Sequence, residues 1–161
     1  MQAELTYVKL GLAMVLAGLL FGIGLGVSFA KAGDTYNDYI TSGLTAHPEL
    51  HDDRSMGIIS RYVRRAHFHA TGIAAFSIGL ILLVMASSLK KRLKSITAFL
   101  IGLGGFYPLS WLTLFVLAPG MGRGAAHGYI LTKLFTYIGV GGLLAGLFIL
   151  LTNLFLGLFR D

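Results

Sequence analysis

Four long apolar stretches constrain this chain more than anything else in it. Leu10 to Ala30 contain no charged side chain, and neither do Ala66 to Leu89 or Ser95 to Ala118. A fourth stretch, 126–152, belongs to an apolar run that begins near Ala125 and continues to Phe159, broken only by Lys133. A helix needs about 20 apolar residues to cross a bilayer, and each stretch is that long. The runs are continuous rather than alternating, so helices are expected and membrane strands are not. The expected fold is an all-α integral membrane protein: one domain over 1–161, a four-transmembrane-helix up-down bundle with spans at about 10–30, 66–89, 95–118 and 126–152.

Composition agrees. Hydrophobic residues make up 55% and charged residues 12%, against about 25% charged in soluble domains. That excludes a disordered chain and a conventional cytosolic enzyme. The chain has no cysteine, which excludes disulfides, thiolate nucleophiles, iron–sulfur ligation and covalently attached c-type haem. The net charge is +6, but the basic residues lie between apolar stretches. Lipid headgroups are therefore the expected partner, and nucleic acid is not.

The distribution of Lys and Arg sets the expected orientation. Lys90-Lys91-Arg92-Leu93-Lys94 is a short, dense basic loop and reads as cytoplasmic. Both termini then lie inside an inner (cytoplasmic) membrane of bacterial type, and the first and third loops lie outside. The count alone is balanced: Lys9, Lys90, Lys91, Arg92, Lys94 and Arg160 inside against Lys31, Arg54, Arg61, Arg64, Arg65 and Arg123 outside. The first loop is longer and carries five acids, so the dense loop decides. Ala30-Lys31-Ala32 has the form of a signal-peptide cleavage site, yet the preceding run is too long for a signal core, and an uncleaved span is expected.

The outer loop, 31–65, is expected to be a structured cap. Pro48 and Glu49 read as a helix start, and Asp52 to Ser55 as a cap for a helix running into span two. Gly18, Gly22 and Gly26 share one face of span one, as Gly142 and Gly146 do in span four. Small residues at this spacing allow close helix packing, within one bundle or across a homo-oligomer seam. Pro108 should kink span three.

All five histidines, His47, His51, His67, His69 and His127, fall on the outer side of this topology. His67 and His69 are two residues apart, about 200° around a helix, so they face opposite ways and serve different centres. Ala66-His67 recurs as Ala126-His127, with Arg64 and Arg65 before the first pair and Arg123 before the second. Two parallel helices of a bundle would then offer imidazoles at one depth, the arrangement a bis-histidine b-type haem needs. His127 is expected as one ligand and His67 or His69 as the other, with the arginines beside the propionates. His47 and His51, at i and i+4, could hold a metal with Glu49 or Asp52, or complete a second haem. Lys133, with Tyr129 and Tyr137 four residues either side, forms a stripe suited to a quinone headgroup, a propionate or a proton relay, or simply a snorkelling lysine. Trp111, Tyr107 and Ser110 near Pro108 either line a cofactor pocket or pack the core.

Ala66-His67-Phe68-His69, followed by Gly72, Ala75, Phe76 and Ile78, resembles the helix of the haem–copper oxidase catalytic subunit that offers one histidine to each of two haems. The resemblance implies a high-spin haem ligand at His67 and a low-spin one at His69. It covers about a dozen residues. The copper-site histidines and the second low-spin ligand have no counterpart here, so oxygen reduction is not implied. The expected function is a small b-type haem protein, with one or two haems, moving electrons or serving as a subunit of a respiratory complex. The alternatives are a copper- or zinc-binding membrane protein and a non-catalytic structural subunit. Whether the chain is an enzyme stays open.

Overall fold

The structure, a computed structural model, describes residues 2–159; Arg160, counted above among the inner basic residues, lies outside them. Among the described residues the chain is helical: α1 (Gln2–Ala46), α2 (Ser55–Ala86), α3 (Lys91–Gly102), α4 (Tyr107–Met121), α5 (Arg123–Gly128) and α6 (Ile130–Leu156). A 3-10 turn at Leu103–Phe106 joins α3 to α4, and another at Pro48–Leu50 lies between α1 and α2. Four helical stretches are long and apolar enough to cross a membrane: α1, α2, α3 continued into α4, and α6. The end bearing the α1–α2 turn is called distal below, and the end bearing the α2–α3 turn proximal.

The segment expected as an outer loop, 31–65, is mostly helix. At 45 residues, α1 is about 68 Å long, well beyond the roughly 40–45 Å of a bilayer with its headgroups. It bends at Ala32, whose φ of −127° and ψ of 30° leave the helical region, beside Gly33 and just past the end of the apolar run. Residues 31–46 then continue for about 24 Å. They are helical because Phe29, Tyr36, Ile40 and Leu44 recur at helical spacing and close on a distal core with Ile59, Val63, Leu114, Phe115 and Ala118. Ser28 and Tyr36 hydrogen-bond across the bend at 2.8 Å.

The proximal core is separate, built from Val8, Val15, Ala74, Ile81, Val84, Ala98, Ile101 and Leu150. Its seams close through glycine. A Cβ on Gly22 would meet Thr71 and Ala70 of α2 at 2.8–2.9 Å, and one on Gly146 would meet Ile101 of α3 at 2.9 Å. Gly142 sits as tightly on Leu103, and Gly139 on the Tyr107 backbone. Gly22, Gly26, Gly142 and Gly146 thus do their packing inside the chain. Gly18 does not: its nearest neighbour is Gly105 Cα at 3.9 Å.

Span three is the diagonal of the bundle. Its α3 half packs on α1 and α6, and its α4 half on α2 and α6. The change of partner occurs at the 3-10 turn, where Pro108, second residue of α4, has no N–H to give Gly104 and would crowd that carbonyl in a regular helix. The kink expected at Pro108 is this tightened turn.

The fourth span is not continuous from 126. Tyr129 adopts an extended conformation with ψ 140° and ends α5, so His127 lies on a short helix leading into α6. Thr132 Oγ1 donates to Ala126 O across the break at 2.9 Å, adding to the Tyr129 N–H that the same carbonyl accepts at 3.4 Å. Lys133 therefore stands in the first turn of α6, exposed, instead of two turns inside a helix that contains His127.

Lys94, expected as part of an exposed basic loop, is buried. Its Nζ donates to Glu4 Oε2 at 2.5 Å and to Met85 O at 2.9 Å. Asn153, also buried, donates to Leu158 O at 2.7 Å beside it in the proximal end.

Candidate functional site

Helix α2 carries histidines to two different sides. Phe29 and Ala30 of α1 and Arg64 and Phe68 of α2 flank His67 in a groove of about 260 Å³. The His67 ring lies against Gly26, where a Cβ would come within 2.7 Å of Cε1. Its Nδ1 is 2.7 Å from Gly22 O. A carbonyl only accepts, so Nδ1 bears a proton and, in the neutral ring, Nε2 keeps its lone pair. Histidines that ligate metals are commonly held in this way, through the other ring nitrogen.

His69 faces α4. Its ring centroid is 5.0 Å from Tyr107 and 5.9 Å from Trp111, nearly parallel to the indole at 23°. The Arg65 guanidinium stands 4.7 Å from the Trp111 ring centroid, within cation–π range. Tyr62, one turn above, is 5.8 Å from Trp111 and 5.8 Å edge-on to His127, and its hydroxyl is 3.3 Å from His127 Nε2. His69, Trp111, Tyr62 and His127 therefore form one chain of rings.

That chain borders a cleft of about 330 Å³ between α4 and α6, into which His127, Trp111, Lys133 and Tyr137 project. The sequence pattern favoured core packing over a pocket for Trp111, Tyr107 and Ser110; all three line this cleft, and Tyr107 and Trp111 also contact His69.

Other candidate residues are drawn elsewhere. Arg123 pairs with Asp52 at 2.8 Å, which ties α5 to the α1–α2 turn instead of facing the histidines. The Ser55 hydroxyl and then the Arg123 charge hold the Asp52 carboxyl below its ordinary range. His47 and His51 do not share a helix face: His47 precedes a 3-10 turn, and His51 is extended, with φ −131° and ψ 153°. Pro48 starts a turn too short to establish α-helical register. His47 lies 3.8 Å from Glu49, whereas His51 Nε2 donates to Pro119 O at 2.9 Å, satisfying a carbonyl in the last turn of α4. Among the described residues no three His, Asp or Glu side chains converge into a metal-binding group.

The pairing of His127 with His67 is not what the fold provides. His67 points into the α1–α2 seam, and His127 contacts Tyr62 on the α4 side. His69 shares that side, with Trp111 and Tyr62 forming the ring path between the two. Sequence reasoning had no signal for the break at Tyr129 and missed Tyr62 altogether.

Comparison with protein-family models, with characterised proteins and with solved structures gives no match. The functional reading rests on the site alone.

Proposed function

We propose that this chain is a small multi-pass redox protein of a cytoplasmic-type membrane that binds b-type haem, serving electron transfer by itself or within a larger respiratory assembly. Its proximal end, with Lys90, Lys91 and Arg92, faces the cytoplasm, and its histidines lie toward the outer face. The carrying observation is His67: a ring fixed by Nδ1–H donation to Gly22 O, with Nε2 available beside a groove where Gly26 and Ala30 present little side chain. A flat macrocycle suits such a surface. Phe29 and Phe68 supply apolar contact, and Arg64 supplies a bidentate donor for a propionate. The bound haem would supply a one-electron couple; the chain would orient its ligand and raise that ligand's basicity through the carbonyl. The residues present fit one axial ligand at His67, and a second histidine is not in that groove.

The test is a reduced-minus-oxidised spectrum of protein made with ample haem. The wild type should show a Soret band and a b-type α-band. His67→Ala should remove the signal, whereas His127→Ala should leave most of it. A preparation that stays colourless after haem is added, or that keeps its full spectrum in His67→Ala, overturns the proposal.

A further inference from the structure

The cleft between α4 and α6 lies on the other side of α2 from His67, and its chemistry is independent of any haem there. Its Ser and Thr hydroxyls have spent their protons internally. Ser110 donates to Tyr107 O at 2.7 Å, Thr132 to Ala126 O at 2.9 Å and Thr136 to Thr132 O at 2.8 Å. Two donors remain. The Trp111 Nε1–H is buried without an acceptor, and an indole N–H can only donate. Lys133 borders the same cleft and has no salt-bridge partner among the described residues. No acidic residue lines the space. Buried polar groups in native proteins are almost always paired, so an orphaned N–H on a side chain that lines a cleft points to an acceptor supplied from it.

The shape narrows the class. A volume of about 330 Å³ lies at the small end of ligand sites, which run from about 300 to 1,000 Å³. Tyr107 and Trp111 form an aromatic wall, and Tyr137, 71% exposed, stands at the lip on α6. Trp111 is ten residues, about 15 Å, below the distal end of α4. The cleft lies between α4 and α6, which belong to stretches long and apolar enough to cross a membrane, with the exposed Tyr137 at its edge. A ligand that enters from the lipid, carries carbonyl acceptors and presents a flat ring to an aromatic wall is a quinone headgroup.

We propose that the α4–α6 cleft binds the headgroup of a membrane quinone, with Trp111 Nε1–H and Lys133 Nζ donating to its carbonyl oxygens and His127 at the distal rim. A phospholipid phosphate shares the acceptor chemistry but gains nothing from the rings.

Trp111 is the only tryptophan in the chain, so its fluorescence reports this site directly. The probe is decylubiquinone, titrated into the full chain in nanodiscs of neutral phosphatidylcholine. Quenching should saturate, and decylbenzene, which has the tail without carbonyls, should not quench. Lys133→Met should weaken apparent binding about tenfold, the scale of one lost charge-assisted hydrogen bond. Arg64→Met, on the far side of α2, should leave it unchanged. Trp111→Phe, followed by equilibrium dialysis, should weaken binding while keeping the aromatic wall. Non-saturating quenching, or equal affinity in Lys133→Met and the wild type, overturns the proposal. So does displacement of the quinone by phosphatidylglycerol introduced into the disc, which would assign the cleft to an anionic lipid. Because His67 plays no part here, His67→Ala should bind the quinone normally even where it loses haem, and failure of one reading leaves the other standing.

Discussion

The two flanks of α2 hold histidines by opposite means. On the α1 flank, His67 is held by backbone: a glycine carbonyl fixes the ring, and a second glycine gives it room. On the α4 flank, His69 is held by side chains, against Tyr107 and a Trp111 covered by Arg65. The first arrangement is rigid and dictates which nitrogen is free. The second is adaptable, and its polar capacity is left open toward the α4–α6 cleft. A fixed tautomer suits a ligand that must not move, and a yielding aromatic wall suits a molecule that comes and goes.

The comparison breaks most visibly at Gly22. Gly22→Leu would force a side chain into Thr71 and Ala70 and should cost about 1–3 kcal/mol, the usual range for overpacking. Thr136→Leu points into open cleft and should cost much less. Thermal unfolding in detergent checks this; equal shifts for the two variants would erase the distinction between a closed seam and an open cleft.

A smaller effect separates the two arginines. Arg65→Met removes the cation over Trp111 and should cost about 0.5–1 kcal/mol, as for exposed cation–π pairs, with a shift in tryptophan emission. Arg64→Met lies in the His67 groove and should leave the emission maximum where it is. If both variants shift it alike, Arg65 has no special hold on the indole.

The smallest effect is one of pH. The folded Asp52 carboxyl titrates below its ordinary value of 3.8, chiefly through the Ser55 hydrogen bond, with the Arg123 charge adding to it. A lowered folded pKa gives stability that is present above 3.8 and disappears as pH falls through the folded value. Acidification from pH 5 to well below 3.8 should therefore release Arg123 and raise amide exchange in 123–128, around His127, while exchange near His67 stays as it was. Asp52→Asn should show the released pattern already at pH 5. Uniform exchange across both flanks would show that this ion pair does not fasten α5.

The four long apolar helices were legible because their runs are long, continuous and free of charge over stretches such as Leu10 to Ala30. The opposed directions of His67 and His69 were legible from helix geometry alone. The distal extension was not, because in 31–46 the spacing of Tyr36, Ile40 and Leu44 is diluted by Asp34, Asn37 and Asp38, and polarity reads as loop. The break at Tyr129 was hidden for the opposite reason: Gly128-Tyr129-Ile130 carries no charge and does not interrupt the apolar run that follows. His47 and His51 misled because an i, i+4 spacing has meaning only in an α-helix, and Pro48 begins a 3-10 turn. Lys94 looked like its basic neighbours, and only the tertiary fold, which brings Glu4 to it, separates them.

The bond between Lys94 and Glu4 also orders events in time. Its partners are separated by 90 positions, so during synthesis the carboxylate is made first and must wait through two complete apolar runs for its ammonium. Until then Glu4 lacks the partner that the fold gives it at the proximal end, where the α2–α3 turn returns. The ion pair is thus an electrostatic latch between span three and span one, beside a seam where Gly11 lies against Ala98. A chain whose third span entered with the wrong direction would find no partner for either charge.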